Sequence, residues 1–597
     1  MSDYFRLFRN IDSLALLLVI LYLTLALSTV WTTGITWDEN RYIAQSKARA
    51  YSIYTTLTGK PGLDICRLDI VRLDDPDWHT RCWEGRPRSL STFSGLIWAG
   101  TWYMSGQSLD VMQSITANRL GTIILTGIGL YILFLFTSRA FSRRVAFFST
   151  LALIFMPRFF AHSKYLLFDL SSAIFWVVTL WIFWEGMKNW KYGIFSGVAF
   201  GIALTTKAMS YFIPVALLVW LLVSYRDRLM PFISSRRNFI PGKSNIVFFS
   251  FILITPVIFF LLYTWLWYDT AERIFYLLGY YGGHLETGAT AAFFMGENLE
   301  RGNFMMNATM MLSTIPAFIL VLSVVGIFRA LKDTITLDNR VSSLILISAA
   351  MPLIVLGAIQ IAYNGSQELM PSLPFVAILA GIGADHLLSW LKSSGKLSMM
   401  SKKTGLDKKS LHLLIMFIIA AGIIVPGTIA IYKGHNDAYY NEFFGGPLGI
   451  YNSKLLESEW SGEAYLELVP WLNENVPADG TIYVPFAHNL LNTYKYGDIG
   501  QITERLDTSS GSLGQFNFEQ ETILRKDINI ISYQDAVDNP DTMEDIDFVV
   551  LMTRFSFYDS EIYINNLSRT CLKNREPSYT VALDDAPLVW VFETPCG

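Results

Sequence analysis

The sequence predicts an all-α polytopic membrane bundle of about eleven transmembrane helices over residues 1–432, followed by a small α/β extracytoplasmic domain over residues 433–597. Three observations predict it. Windows of about 20 apolar residues, the length that crosses roughly 30 Å of hydrocarbon, recur through the first three quarters of the chain. Basic residues collect in alternate connections between those windows, as they do on the cytoplasmic side of membrane proteins. After Tyr432 the composition shifts to the polar, loop-rich mixture of a soluble module.

The expected spans are 12–33, 114–137, 145–161, 166–186, 192–206, 208–225, 245–267, 308–328, 341–362, 371–391 and 411–432. The first has no small-residue cleavage site, so it reads as a retained span rather than a cleaved signal. The fifth and sixth are short and would pass as one helix were it not for their flanks. Lys188 and Lys191 precede the pair and Arg226, Arg228, Arg236, Arg237 and Lys243 follow it, so both flanks are cytoplasmic and two crossings are needed. Arg139, Arg143 and Arg144, then Arg329, Lys332 and Arg340, then the lysines between Lys392 and Lys409 mark the other inner loops. The amino terminus is therefore expected in the cytoplasm and the carboxyl-terminal domain outside. All four cysteines then face an oxidising compartment, and pairs Cys66–Cys82 and Cys571–Cys596 are expected.

Composition bounds the partners. With 52% hydrophobic and 16% charged residues the chain needs a lipid bilayer around it, and a net charge of -4 offers no basic surplus for nucleic acid. Aromatic residues, 15% of the chain, suit rings at headgroup level. In the carboxyl-terminal part, GEAYLELVPWLNENV reads as an amphipathic helix, TIYVP and DFVVLMT as strands, and YTVALDDAPLVWVFE as a closing hairpin. No sugar-binding or catalytic motif stands out there, so the expected role is a lid or an acceptor-docking surface.

The polar residues that interrupt the apolar runs carry the chemistry, and the topology puts them on one side. Asp38 and Glu39 follow the first span in GITWDENRY, within the outer loop 35–112. Arg158, His162, Lys164 and Asp169 lie in MPRFFAHSKYLLFDLSS, Lys207 ends the fifth span, and His284 belongs to the outer loop YLLGYYGGHLETG. Charge at a membrane boundary is expensive unless paired or hydrated, so each is a functional candidate. Asp38 and Glu39 would point about 100° apart on a helix, which suits one base and one orienting partner. A carboxylate can take the proton of an attacking hydroxyl, and preorganised cations such as Lys207, Arg158 and His162 can hold a departing phosphate. Asp169, about one turn inside its span, needs a partner, expected among Lys164, Arg158 or the acceptor.

Four stretches resemble the C-type glycosyltransferases, in the branch of protein O-mannosyltransferases and the lipid A aminoarabinose transferase. They are TWDENRY, MPRFFAHSKYLLFD, TWLWYDTAERIFYLLGYYGGH and YNGSQELMPSLPFVAILAGIG. The resemblance implies inverting transfer of a sugar from a polyprenyl-phosphate carrier to a hydroxyl acceptor on protein, lipid or glycan at the extracytoplasmic face. It makes Asp38 the general base, Asp169 a second-loop acid and Lys207 a contact to the carrier phosphate. Some members use a divalent metal, for which Asp38, Glu39 and Asp169 are the available ligands. The chain departs from many relatives where they carry an arginine in the segment beginning at Tyr363, having Ser366-Gln367-Glu368 there. A transporter or flippase for a lipid-linked glycan is the alternative; it would place its charges near the bilayer midplane within inverted repeats. A noncatalytic scaffold is the third reading.

Overall fold

The computed structural model describes residues 12–39, 42, 92–101, 104, 114–228, 245–263, 266, 270–287, 292–360, 365–496, 523–543, 545–558 and 566–596. Seven described helices are long and apolar enough to cross a membrane: Ser13–Thr32, Ile115–Ala140, Phe168–Gly186, Asn245–Leu262, Arg340–Ile359, Gln367–Ser393 and Lys408–Lys433. An eighth span is made if the bent pair Phe304–Thr314 and Ala317–Thr336 is counted as one. The other three expected spans are helical but short: Arg143–Ile154 with 12 residues, Trp190–Leu204 with 15, and Ile213–Ser224 with 12. With the 3-10 turn that precedes it, the last of these runs over Ala208–Ser224. Each of the eleven expected spans therefore falls on a described helix, seven or eight of them at full spanning length.

The bent pair has a local cause. Ile315-Pro316 interrupts the run at 308–328, and the two helices meet at 115°. Proline cannot donate to the preceding turn, so carbonyls there lose their partners. Asn441 replaces them: its side chain donates to the carbonyls of Leu312 and Ile315 at 2.7 Å each, and its backbone N–H donates to that of Ser313 at 2.7 Å. A residue beyond the last span therefore stabilises a break inside the bundle.

The carboxyl-terminal part is α/β, as expected. Its five-stranded sheet has the order β4-β3-β5-β7-β6, with β3 Thr481–Tyr483, β4 Asn529–Ile531, β5 Phe548–Met552, β6 Tyr579–Leu583 and β7 Ala586–Glu593. Strands β1 Ala292–Phe294 and β2 Glu297–Leu299 form a separate hairpin between the helices Thr270–Thr287 and Phe304–Thr314. β3 pairs in parallel with β4 and β5, and β7 is antiparallel to β5 and β6. All five residues of β5, FVVLM, are buried, as a central strand covered on both faces requires. The helix Tyr465–Asn475 covers one face through Leu468, Val469 and Leu472. Cys571 and Cys596 form a disulfide on the other, while Cys66 and Cys82 lie outside the described residues.

The sheet's core does not stop at the soluble part. Ile35, Trp98, Ile115 and Leu166, all from the membrane part, belong to the same buried cluster as Leu468, Leu490, Val550 and Val589. The two parts share a core at the end of the bundle where Ile35, Trp98, Ile115 and Leu166 lie.

Candidate active site

The site is organised by the segment from Pro157 to Asp169, which opens with a six-residue helix, Pro157–His162, started by proline at its first turn. Its side chains radiate to every neighbouring element. Arg158 and His162, four residues apart, share one helical face and reach the stretch after the last span. Arg158 Nε donates to the carbonyl of Tyr439 at 3.2 Å and its guanidinium lies 4.7 Å from the ring centroid of Tyr440. His162 Nε2 is 3.3 Å from Asp437. Burial alone would raise the Asp437 carboxyl, but the His162 bond and the charges of His162 and Arg158 hold it below the usual range.

Lys164 turns the opposite way, to the end of the first span, where its ammonium donates to the hydroxyls of Thr33 at 2.8 Å and Thr29 at 3.3 Å. Burial pushes it down to about 8, with the carboxylates of Glu463 and Glu39 opposing that trend and Arg119 adding to it. Tyr165 donates to Glu463, and Asp169 is ion-paired with Lys207.

The acid pair divides into two different groups. Glu39 is fully buried and every lone-pair direction is used. It accepts from Arg119 Nε at 2.9 Å and Nη2 at 2.7 Å, from the Thr36 N–H at 2.8 Å and from the Leu166 N–H at 2.9 Å. Asp38, next to it, is half-buried, and its carbonyl accepts from the Tyr42 N–H at 3.3 Å. The Tyr42 ring packs 4.5 Å from that of Phe168, the residue before Asp169. Asp38, Arg158, His162, Lys164, Asp169 and Lys207 thus gather around one segment at one end of the bundle.

Lys207 differs from its sequence reading. It contacts two carboxylates, Asp169 and, at 2.7 Å, Glu368. Glu368 stands in the stretch where many relatives carry arginine, so the departure has a structural consequence: a carboxylate closes on the lysine. Arg158 is the contrasting cation. It is 1% exposed, and its two terminal amino groups have no hydrogen-bond partner among the described residues. Gly365, at φ +59°, passes directly over it; a Cβ there would sit 3.3 Å from Arg158 Nη1 and 3.1 Å from the Trp460 ring. Left-handed backbone and close approach both require glycine.

His284 lies in a helix, Thr270–Thr287, rather than the expected loop, and its side chain is outside the described residues. A metal shared by Asp38, Glu39 and Asp169 does not suit this donor set. Glu39 has no free oxygen face, Asp169 is occupied by Lys207, and no three His, Cys, Asp or Glu residues gather among the described residues. Sequence reasoning missed Arg119, Asp437 and Glu463, and noted Glu368 only as a departure from relatives. Arg119 was the accessible one, a lone charge inside the apolar run SITANRLGTIIL.

Residues 100–235, which contain this hub and Lys207, match the family model of dolichyl-phosphate-mannose-protein mannosyltransferases. That segment is similar to a family of membrane glycosyltransferases. The match agrees with the resemblance read from the four sequence stretches. Among solved structures, the chain is similar to ArnT from Cupriavidus metallidurans bound to undecaprenyl phosphate, with 12% identity, a TM-score of 0.47, and coverage of 97% of this chain and 98% of that one. It is also similar to the Archaeoglobus fulgidus oligosaccharyltransferase, with 12% identity, a TM-score of 0.43, and coverage of 92% and 70%. Similarity this distant transfers no residue role. No curated protein matches the sequence significantly.

Proposed function

We propose that the protein transfers a sugar from a polyprenyl-phosphate carrier to a hydroxyl acceptor at the extracytoplasmic face, with inversion. The amino terminus is then cytoplasmic and the sheet domain outside. Asp38 removes the acceptor's proton as its oxygen attacks the anomeric carbon. The bond from that carbon to phosphate oxygen breaks, and the phosphate leaves on its lipid. Arg158 takes the developing phosphate charge, with His162 beside it. Lys207 braces the Asp169 and Glu368 carboxylates next to this path, and Lys164 supports the acid turn from below.

The observation that carries the reading is the split within the acid pair. Four donors saturate both oxygens of Glu39, which takes it out of contention as the base; Asp38, half-buried on the same turn, is the acid the reading assigns to that role. The transport alternative calls for charges spread near the midplane. Clustering around one segment at one end of the bundle favours transfer.

The test is transfer of radiolabel from a panel of polyprenyl-phosphate sugars into protein, lipid and glycan fractions of membranes. Asp38→Asn is expected to lower transfer by about 10²–10⁴-fold while the protein stays folded and inserted. Glu39→Gln is expected to lower the folded yield itself, because it strands Arg119 in the interior at a cost of about 3–5 kcal/mol. Full transfer by Asp38→Asn would remove the general base from the reading.

A further inference from the structure

The turn that carries Asp38 is held from two sides, and one of them is the soluble domain. From the membrane part, Arg119 donates to the carbonyls of Thr33 at 2.8 Å and Gly34 at 2.6 Å, in addition to Glu39. From the sheet domain and the strand of chain leading into it, the Ile35 N–H donates to the Tyr494 hydroxyl at 2.8 Å. The Trp37 N–H donates to the Ser461 carbonyl at 3.0 Å, and the Trp37 carbonyl accepts from Asn489 at 3.4 Å. Gly34 lies so close to Glu463 that a Cβ would stand 2.1 Å from its carbonyl oxygen. Gly34, Ile35, Trp37 and Glu39 are thus each tied to a partner distant in sequence.

The side chain preceding Asp38 is fixed just as firmly. The Trp37 ring is 5.1 Å from that of Phe486, and the guanidinium of Arg554 lies 5.3 Å from Trp37, 5.6 Å from Phe486 and 5.6 Å from Trp460. Arg554 is 1% exposed and follows β5 by two residues, so the stiffest strand of the domain places it. Glu457, which accepts from the N–H groups of Phe555 at 2.6 Å and Ser556 at 2.8 Å, feels the charge of Arg554 and anchors the same turn. A desolvated guanidinium among aromatic faces is a strong, directional contact.

We infer that Arg554 is a positioning residue for the acid, acting through Trp37, so that the soluble domain is part of the catalytic framework rather than a lid over it. Its guanidinium stops the indole from rocking, and the indole in turn fixes the backbone from which Asp38 projects. A misplacement of about 1 Å in a reacting group costs about 10²-fold in rate. The inference rests on reading Asp38 as the base.

The experiment uses the full chain in nanodiscs with radiolabelled polyprenyl-phosphate mannose as donor, and reads hydrogen exchange of the amides in residues 33–39 alongside kinetics. Arg554→Met leaves Glu457 buried beside no cation, so the double variant Arg554→Met with Glu457→Gln accompanies it, and Arg554→Lys serves as the conservative rescue. The expected result is a kcat lowered about 10- to 100-fold with donor KM unchanged, faster exchange confined to 33–39, and partial recovery with lysine. Unchanged exchange in the folded double variant overturns the inference, whether or not kcat falls. If the parent protein transfers no sugar from this donor, the transfer reading loses its support while the exchange measurement alone still decides whether Arg554 holds the turn.

Discussion

Lys207, half-buried, and Arg158, buried, both stand beside the proposed carrier phosphate, yet their surroundings are opposite. Lys207 is enclosed by two carboxylates, Asp169 and Glu368. Arg158 lies against the Tyr440 ring and bonds one backbone carbonyl, and its terminal amino groups have no hydrogen-bond partner among the described residues. A buried donor without a partner costs free energy, and a charged one costs more. Such a cost is retained where a ligand removes it. The difference teaches that residue type and location do not decide which cation is available to an anion; the neighbouring acids do.

The largest effect that would break this contrast is on stability. Lys207→Met leaves Asp169 and Glu368 facing each other without a cation, and is expected to cost about 3–5 kcal/mol, read as a lowered midpoint of thermal unfolding in detergent. Adding Glu368→Gln should recover part of that loss. If Lys207→Met instead left stability intact and abolished only donor binding, the lysine would be the phosphate ligand and the contrast would fail.

Arg158→Met is expected to do the reverse. Stability should change little, because two desolvated amino groups without hydrogen-bond partners are removed along with a favourable charge near Asp437, while kcat/KM for the donor falls about 10²-fold, which is about 2.7 kcal/mol. Arg158→Lys should recover only part of the rate, since an ammonium cannot match a planar fork on phosphate oxygens. Equal transfer by all three forms would sink the assignment.

The smallest effect concerns a third cation, Lys164, and sharpens the comparison through pH. Burial pushes it down to about 8 from 10.5. Between those values the unfolded chain binds the proton and the folded chain does not, so this group's contribution raises stability as pH climbs through that window. Loss of the same proton removes the positive charge beneath the acid turn and weakens the bonds to Thr33 and Thr29, which are then made by a neutral amine. Transfer rate is therefore expected to fall as pH passes about 8 while thermal stability, relative to Lys164→Met, rises. Parallel movement of both curves would contradict it.

The sequence was most legible where a pattern is local. Apolar runs located the helices, and alternation located the β3 and β5 strands and the β6-β7 hairpin almost to the residue. Helix ends were less legible, as at Arg143–Ile154 against the expected 145–161, because composition reports apolarity and not where a helix stops. It read 308–328 as one span because the bend at Pro316 is stabilised by Asn441, more than a hundred residues away. In the site, the acids and cations were visible as residues out of place in apolar surroundings. Their pairing was not.

By itself, then, the sequence determined that this chain lives in a membrane, which segments are helical, and that charged groups gather where the first span and the Pro157–Asp169 segment end. Hydrophobicity and periodicity are properties of neighbouring residues, so they survive being read in one dimension. Only the tertiary structure decided that Glu39 is immobilised by Arg119, that Glu368 closes on Lys207, and that Arg554 of the soluble domain reaches the residue before Asp38. Electrostatic roles depend on distance through space, and these partners are separated by tens to hundreds of residues along the chain.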